Sequence, residues 1–366
     1  MSKRKQVCYA LLLLFLAAAA FVIYLTGNRV RLPYADQMEA ASRLHVKVVQ
    51  AVKEERLARG YALVPEDRLQ LGLLGEEITD ITTSIGNLEA KRTSQLPDMA
   101  ALCVRLLEEA GVKKGDTVGA CFSASFPGAD LALLCAAEVM GVRLIYSATI
   151  GASNFGATLP GYVLPEMIQT AVDAGLLSTM PQMVSMGGDE DRGKNMIGVI
   201  LEETEEIEAM KTRLREEGFT LLEFDSFEAD IAYRMQQMGE IAAFVNVGGN
   251  ILGIGNNEAA LSFGQGLLKP SKPALSAKSG LVEQYLAKGV PTVHFLNLKQ
   301  LCMETGVPFD PVSIPEIGTS EVYYSHDYSK AAIAAAGIIA LGACVLIERD
   351  EKKRKAAAED MRTGGK

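Results

Sequence analysis

Four short segments collect the residue types that hold small anions: SASFPG at 123–128, SATIGASNFGA at 147–157, SMGGDEDRG at 185–193 and NVGGN at 246–250. Each mixes glycines with hydroxyl or amide side chains, which offers a ligand backbone N–H groups and uncharged donors. The same residues dominate ordinary turns, so their grouping counts for more than their identity. Ser123 and Ser125 raise the question of a nucleophile. A hydrolase elbow uses G-x-S-x-G, because glycines relieve a strained strand-to-helix turn, and neither serine has that surround. Ser125, Asp189 and His294 do follow the order Ser…Asp…His and so form a candidate catalytic set, as does Ser123 in place of Ser125. His294, inside PTVHFLN, also reads as a core histidine, and His45 lies on a helix face.

No GxxxxGK[ST] loop occurs, and GGNILGIG departs from G-x-G-x-x-G, so no nucleotide cofactor is expected. A divalent cation is the one candidate cofactor, with Asp189 and Asp191 of GGDEDRG as its ligands. The residues favour an anion cradle. Ser123, Ser125 and Gly128 open onto a helix starting near Ala129, whose N-terminus favours negative charge. Ser153, Asn154, Gly187, Gly188, Asn246, Gly248, Gly249 and Asn250 would complete the cradle, with Lys91 and Arg92 as the nearest cations.

These segments need a frame. Strand-like runs appear at 117–122, 143–147, 183–186, 220–222, 242–247 and 292–295, separated by helical patterns at 129–140, 164–174, 195–217, 225–238, 280–288 and 297–304. Such alternation predicts an α/β fold: a doubly wound, mostly parallel sheet with crossover helices. In that sheet a ligand lies beyond the carboxyl ends of the strands, where all four segments fall. Upstream, 36–59 reads as an amphipathic helix with Met38, Ala41, Leu44, Val48 and Val52 on one face. The Thr-rich stretch ending at Pro97 reads as irregular, before a helix over 98–110.

The ends differ from the middle. Residues 7–26 carry no charge and follow Lys3, Arg4 and Lys5, which predicts an uncleaved transmembrane helix after a cytoplasmic start at 1–6. A second span is expected at 331–347, and the basic tail at 348–366 places that end in the cytoplasm too. Ala332, Ala336 and Ala340 form a small-residue stripe that would pack on Ala17–Ala20. Residues 28–329 then make one extracytoplasmic domain, with 28–97 as its helical and Thr-rich lead-in. The formal charge of −9 hides a segment at about −14 between two basic ends, which argues against nucleic acid as a partner. Cys103, Cys121, Cys135 and Cys302 fall in apolar patterns as buried thiols, with one disulfide among them compatible with an outside location.

Taken in order, LGEEITDITTSIGNLEAKRTSQLPDMAALCVRLLEEAGVKKGDTV, SASFPG, GASNFGA, SMGGDEDRG and NVGGN resemble the poly-γ-glutamate system proteins of bacterial poly-γ-glutamate synthesis loci. The likeness runs over roughly 36–300. It implies a bacterial cell-membrane setting and an accessory role in making or exporting a capsule or secreted polymer. Its implied partners are the membrane, other poly-γ-glutamate synthesis proteins and the anionic polymer or its terminus. It supplies no catalytic residues, so enzymatic activity stays open. The alternatives are a serine-dependent γ-glutamyl hydrolase or transferase acting at Ser123 or Ser125, and a cytoplasmic α/β module for a small ligand.

Overall fold

The computed structural model describes residues 3–193, 196, 204–257 and 259–363. They fall into two units, Pro33–Tyr323 and a second made of Met1–Leu32 with Tyr324–Lys366.

The second unit contains α1 (Lys3–Leu25), β1 (Asn28–Arg31), β8 (Tyr324–Asp327) and α12 (Lys330–Thr363). Strands β1 and β8 pair antiparallel, with Asn28 opposite Asp327. Both helices are long and apolar enough to cross a bilayer. They pack against one another, and the Tyr9 hydroxyl donates to Glu348 Oε1 at 2.9 Å near their charged ends. The alanine stripe holds on α12, where Ala332, Ala336 and Ala340 are half-covered. On α1 the covered face is Leu12, Leu16, Ala19 and Ile23, so of the expected Ala17–Ala20 surface Ala19 alone is covered. Leucine knobs on one helix meet small residues on the other.

The larger unit is α/β. Its apolar runs form β2 (Thr117–Phe122), β3 (Arg143–Thr149), β4 (Met183–Ser185), β5 (Ala243–Val247), β6 (Gly266–Leu268) and β7 (Thr292–Phe295). The order across the sheet is β4-β3-β2-β5-β7-β6. All neighbours are parallel except β6, an antiparallel edge on β7. Burial on both faces explains why these strands read as unbroken apolar stretches rather than alternating ones. Phe122 pairs with Ala148 and Val247, Val247 with Phe295, and Thr149 with Ser185, so five strands end at one level. The chain starts mid-sheet at β2, moves out to β4 and returns to β5 on the other side of β2. That reversal marks the point where open α/β sheets leave a crevice.

Helix α2 (Ala35–Ala58) buries Met38, Ala41, His45, Val48 and Val52 against α4 (Pro97–Glu109), α5 (Pro127–Met140) and α6 (Leu164–Asp173). Cys121 and Phe244 pack in one cluster with Ile231 and Met238 of α8 (Phe227–Met238) and with Leu281 and Tyr285 of α10 (Leu281–Ala287). The Thr-rich stretch is not wholly irregular, because Leu88–Ser94 forms α3, capped by Asn87 Oδ1 accepting from Ala90 N at 2.7 Å. The expected strand at 220–222 is reduced to a single bridge between Val184 and Leu221. Of the helix expected over 195–217, residues 195 and 197–203 lie outside those described, and α7 spans Glu205–Glu216. Two more short helices, α9 (Ile251–Ile254) and α11 (Leu298–Thr305), follow β5 and β7. Cys103, Cys121, Cys135 and Cys302 are buried free thiols, not a disulfide.

Candidate functional site

A cavity of about 600 Å³ opens at the carboxyl rim of the sheet. Segments after five parallel strands meet there: Ser123 and Ser125 after β2, Gly151 and Ser153 after β3, Gly187 to Asp189 after β4, Gly249 and Asn250 after β5, and Leu296 to Lys299 after β7. A further wall comes from Thr83–Asn87, part of the Thr-rich stretch, which the sequence reading did not place at the site. It is laced to the β3 loop: Thr83 N donates to Ala152 O at 2.8 Å, Asn154 N to Ser84 O at 2.9 Å, and Gly86 N to Asn154 Oδ1 at 2.6 Å.

Helix starts converge on this space. Asn87, Asn250 and Asn297 line it and cap α3, α9 and α11 through their side-chain oxygens. Phe126, at the start of α5, lines it too. The first N–H groups of each helix lack intrahelical acceptors, and α5 and α11 are long enough to add a dipole favouring negative charge. Ile85, Ile251, Ile254 and Leu296 give the cavity an apolar side.

Beneath the floor runs a buried polar row, with Ser147, Cys121, Asn246 and His294 side by side on β3, β2, β5 and β7. Asn246 Nδ2 donates to Gly248 O at 2.8 Å and lies 3.2 Å from His294 Nδ1. Asn246 and His294 therefore belong to the core and do not line the cavity. No triad assembles. Ser125 Oγ accepts from Ser153 N at 3.0 Å, Ser123 Oγ accepts from Ser125 N at 3.3 Å, and neither hydroxyl bonds a histidine. Between them Ala124 takes φ +56°, so the strained position of the turn carries a methyl group. His45 sits 3.0 Å from Gly128 O, and burial pushes it down to about 4, which keeps it neutral.

Several expected ligand residues have other duties. Arg92 makes a two-point ion pair with Asp310 at 2.7 and 2.8 Å, away from the cavity. Gly128 packs α5 against α3, where a Cβ would stand 2.4 Å from Ser94 O. Gly248, at φ +84°, leaves room for Ser123 Oγ. Asn154 ties the two loops together rather than facing the cavity. Asp191 is the buried partner of Arg234 at 2.8 Å and accepts from Gly187 N at 3.1 Å. The Asp191–Arg234 pair folds the 187–193 loop, and Asp191 is not open to a cation. Asp189 does line the cavity. No group of three or more His, Cys, Asp or Glu able to hold a metal ion occurs among the described residues.

Lys91 is the unexpected feature. It lies fully buried on α3 with Nζ 2.7 Å from Ser125 O, 2.7 Å from Ser153 Oγ and 3.4 Å from Ser153 O. Burial lowers its ammonium to about 7, against the opposing pull of Asp130. At the rim, Lys299 is an exposed cation that sequence reasoning missed. Its signal was the helix-start pattern N-L-K after β7.

Compared with protein-family models, with curated proteins and with solved structures, the chain gives no match.

Proposed function

We propose that this protein is a membrane-anchored accessory component of poly-γ-glutamate synthesis or export whose rim cavity holds a carboxylate-bearing chain end. The observation that carries the binding half is the meeting of four helix starts and six hydroxyl side chains in one cavity. Such walls favour an anion without requiring a full opposing charge. The segment between the apolar helices, at about −14, would repel a polyanion's body, so contact is confined to a terminus. The pathway comes from the motif resemblance over roughly 36–300. The reading also takes α1 and α12 as spans with both chain ends cytoplasmic, and the helices between strands as crossovers on both faces of a doubly wound sheet.

Titration calorimetry of the full chain in detergent with a γ-linked glutamate oligomer tests it. Binding is expected, and Gly249→Leu should weaken it at least tenfold, because that position faces the cavity and a Cβ there meets only Leu296 Cδ1 at 3.2 Å. Absence of binding heat would sink the reading. A second reading, a module for a free small anion such as a sugar phosphate, is favoured by the cavity's size, which suits one small ligand. Tighter binding of a sugar phosphate than of the oligomer would select it.

A further inference from the structure

We propose that Ser153 and Lys91 form a nucleophile and general-base pair, so that the cavity transfers or hydrolyses the acyl group of an amide-linked ligand. The choice of a γ-glutamyl amide as substrate rests on the functional reading above; the pair itself rests on geometry. Ser153 lines the cavity and is 7% exposed. Its Oγ lies 2.7 Å from Lys91 Nζ, within the reach a base needs. Gly86 stands over both atoms, and a Cβ there would lie 3.0 Å from Ser153 Oγ and 3.5 Å from Lys91 Nζ.

Three acceptors surround Lys91 Nζ. Two N–H groups serve Ser125 O and Ser153 O. Nζ donates to Ser153 Oγ at 2.7 Å; once the ammonium gives up a proton, the same contact can run from hydroxyl to nitrogen. Burial favours that state by lowering the lysine to about 7. Asp130 pulls the other way, although burial pushes its own carboxyl well above the usual range. Ser123 and Ser125 lack such a partner, since their hydroxyls bond backbone groups. Serine–lysine pairs are a recognised variant of serine–histidine chemistry.

The step balances without a cofactor. Ser153 Oγ forms a bond to the amide carbonyl carbon while its proton passes to Lys91 Nζ. Collapse breaks the C–N bond, and the leaving amine takes the proton from the lysine ammonium. Water then adds to the acyl ester with Lys91 again as base, the bond to Ser153 Oγ breaks, and Ser153 regains its proton as the free acid leaves. The starts of α5 and α11 line the same cavity and favour the negative charge that develops on the oxyanion.

The test treats the full chain in detergent micelles with a fluorophosphonate, which loses fluoride as phosphorus bonds to an activated serine. One adduct per chain, mapped to Ser153, is expected; Ser153→Ala should abolish it and Lys91→Met should slow it at least a hundredfold. In the unaltered protein the labelling rate should rise about tenfold per pH unit and level off above about pH 7, a readout that needs no variant to fold. No adduct, an adduct on Ser123 or Ser125, or a rate flat with pH would overturn the pair. Oligomer binding without labelling removes the chemistry and keeps the binding site; labelling of Ser153 without oligomer binding keeps the pair and removes the γ-glutamyl ligand.

Discussion

Asp130 stands in the first turn of α5, fully buried, with neither carboxylate oxygen in reach of a donor. Burial raises its carboxyl well above the ordinary value. The unfolded chain ionises this group above about pH 4 while the folded chain resists, so folding loses stability as pH rises through that range. Asp130→Asn removes the ionisation. Its melting temperature should match the unaltered protein near pH 4 and exceed it increasingly toward pH 7; equal melting at both values would refute the assignment. At this scale the sequence showed which residue types gather at the rim but not their partners. Arg92 looked like a ligand for an anion because Asp310, its partner, is more than two hundred positions away. Ser153 was legible as a cradle residue. Its pairing with Lys91 was not, because that pair depends on how α3 folds over the β3 loop.

Helix α3 is seven residues long, five of them polar, with too little apolar periodicity to announce itself. Asn87 before Leu88-Glu89-Ala90 was the available signal, an N-cap ahead of helix formers. The long parallel strands were readable because they are buried on both faces. The three-residue edge β6 and the exposed pair β1 and β8 were not, since short or solvated strands lack that signature. The contact that fixes α3 beside α5 is Gly128. Gly128→Ala would drive a Cβ into the backbone at Ser94, so we expect a loss of about 1–3 kcal/mol in denaturant unfolding. It should also weaken oligomer binding by displacing α3, the element that carries Lys91. A stability unchanged from the parent would show that the interface yields more easily than its geometry implies.

For the whole molecule, the Pro33–Tyr323 unit is inserted between two apolar helices. The proposed orientation predicts that protease added to intact protoplasts cleaves this unit while a tag at the C-terminus stays protected. Cleavage only after the membrane is opened would place the unit in the cytoplasm. Buried free thiols fit either side, because Cys103, Cys121, Cys135 and Cys302 are at most 1% exposed and shielded from oxidants. Helix α12 carries a different implication. Its 34 residues make a continuous rod of about 50 Å, some 20 Å more than a bilayer's hydrocarbon requires. Beyond its apolar part, Lys352, Lys353, Arg354 and Lys355 share one rigid helix with Glu348, Asp350, Glu351 and Glu359. Arg354 pairs with Asp350 at 3.0 Å, so whatever docks there meets a fixed, mixed array of charge instead of a loose tether.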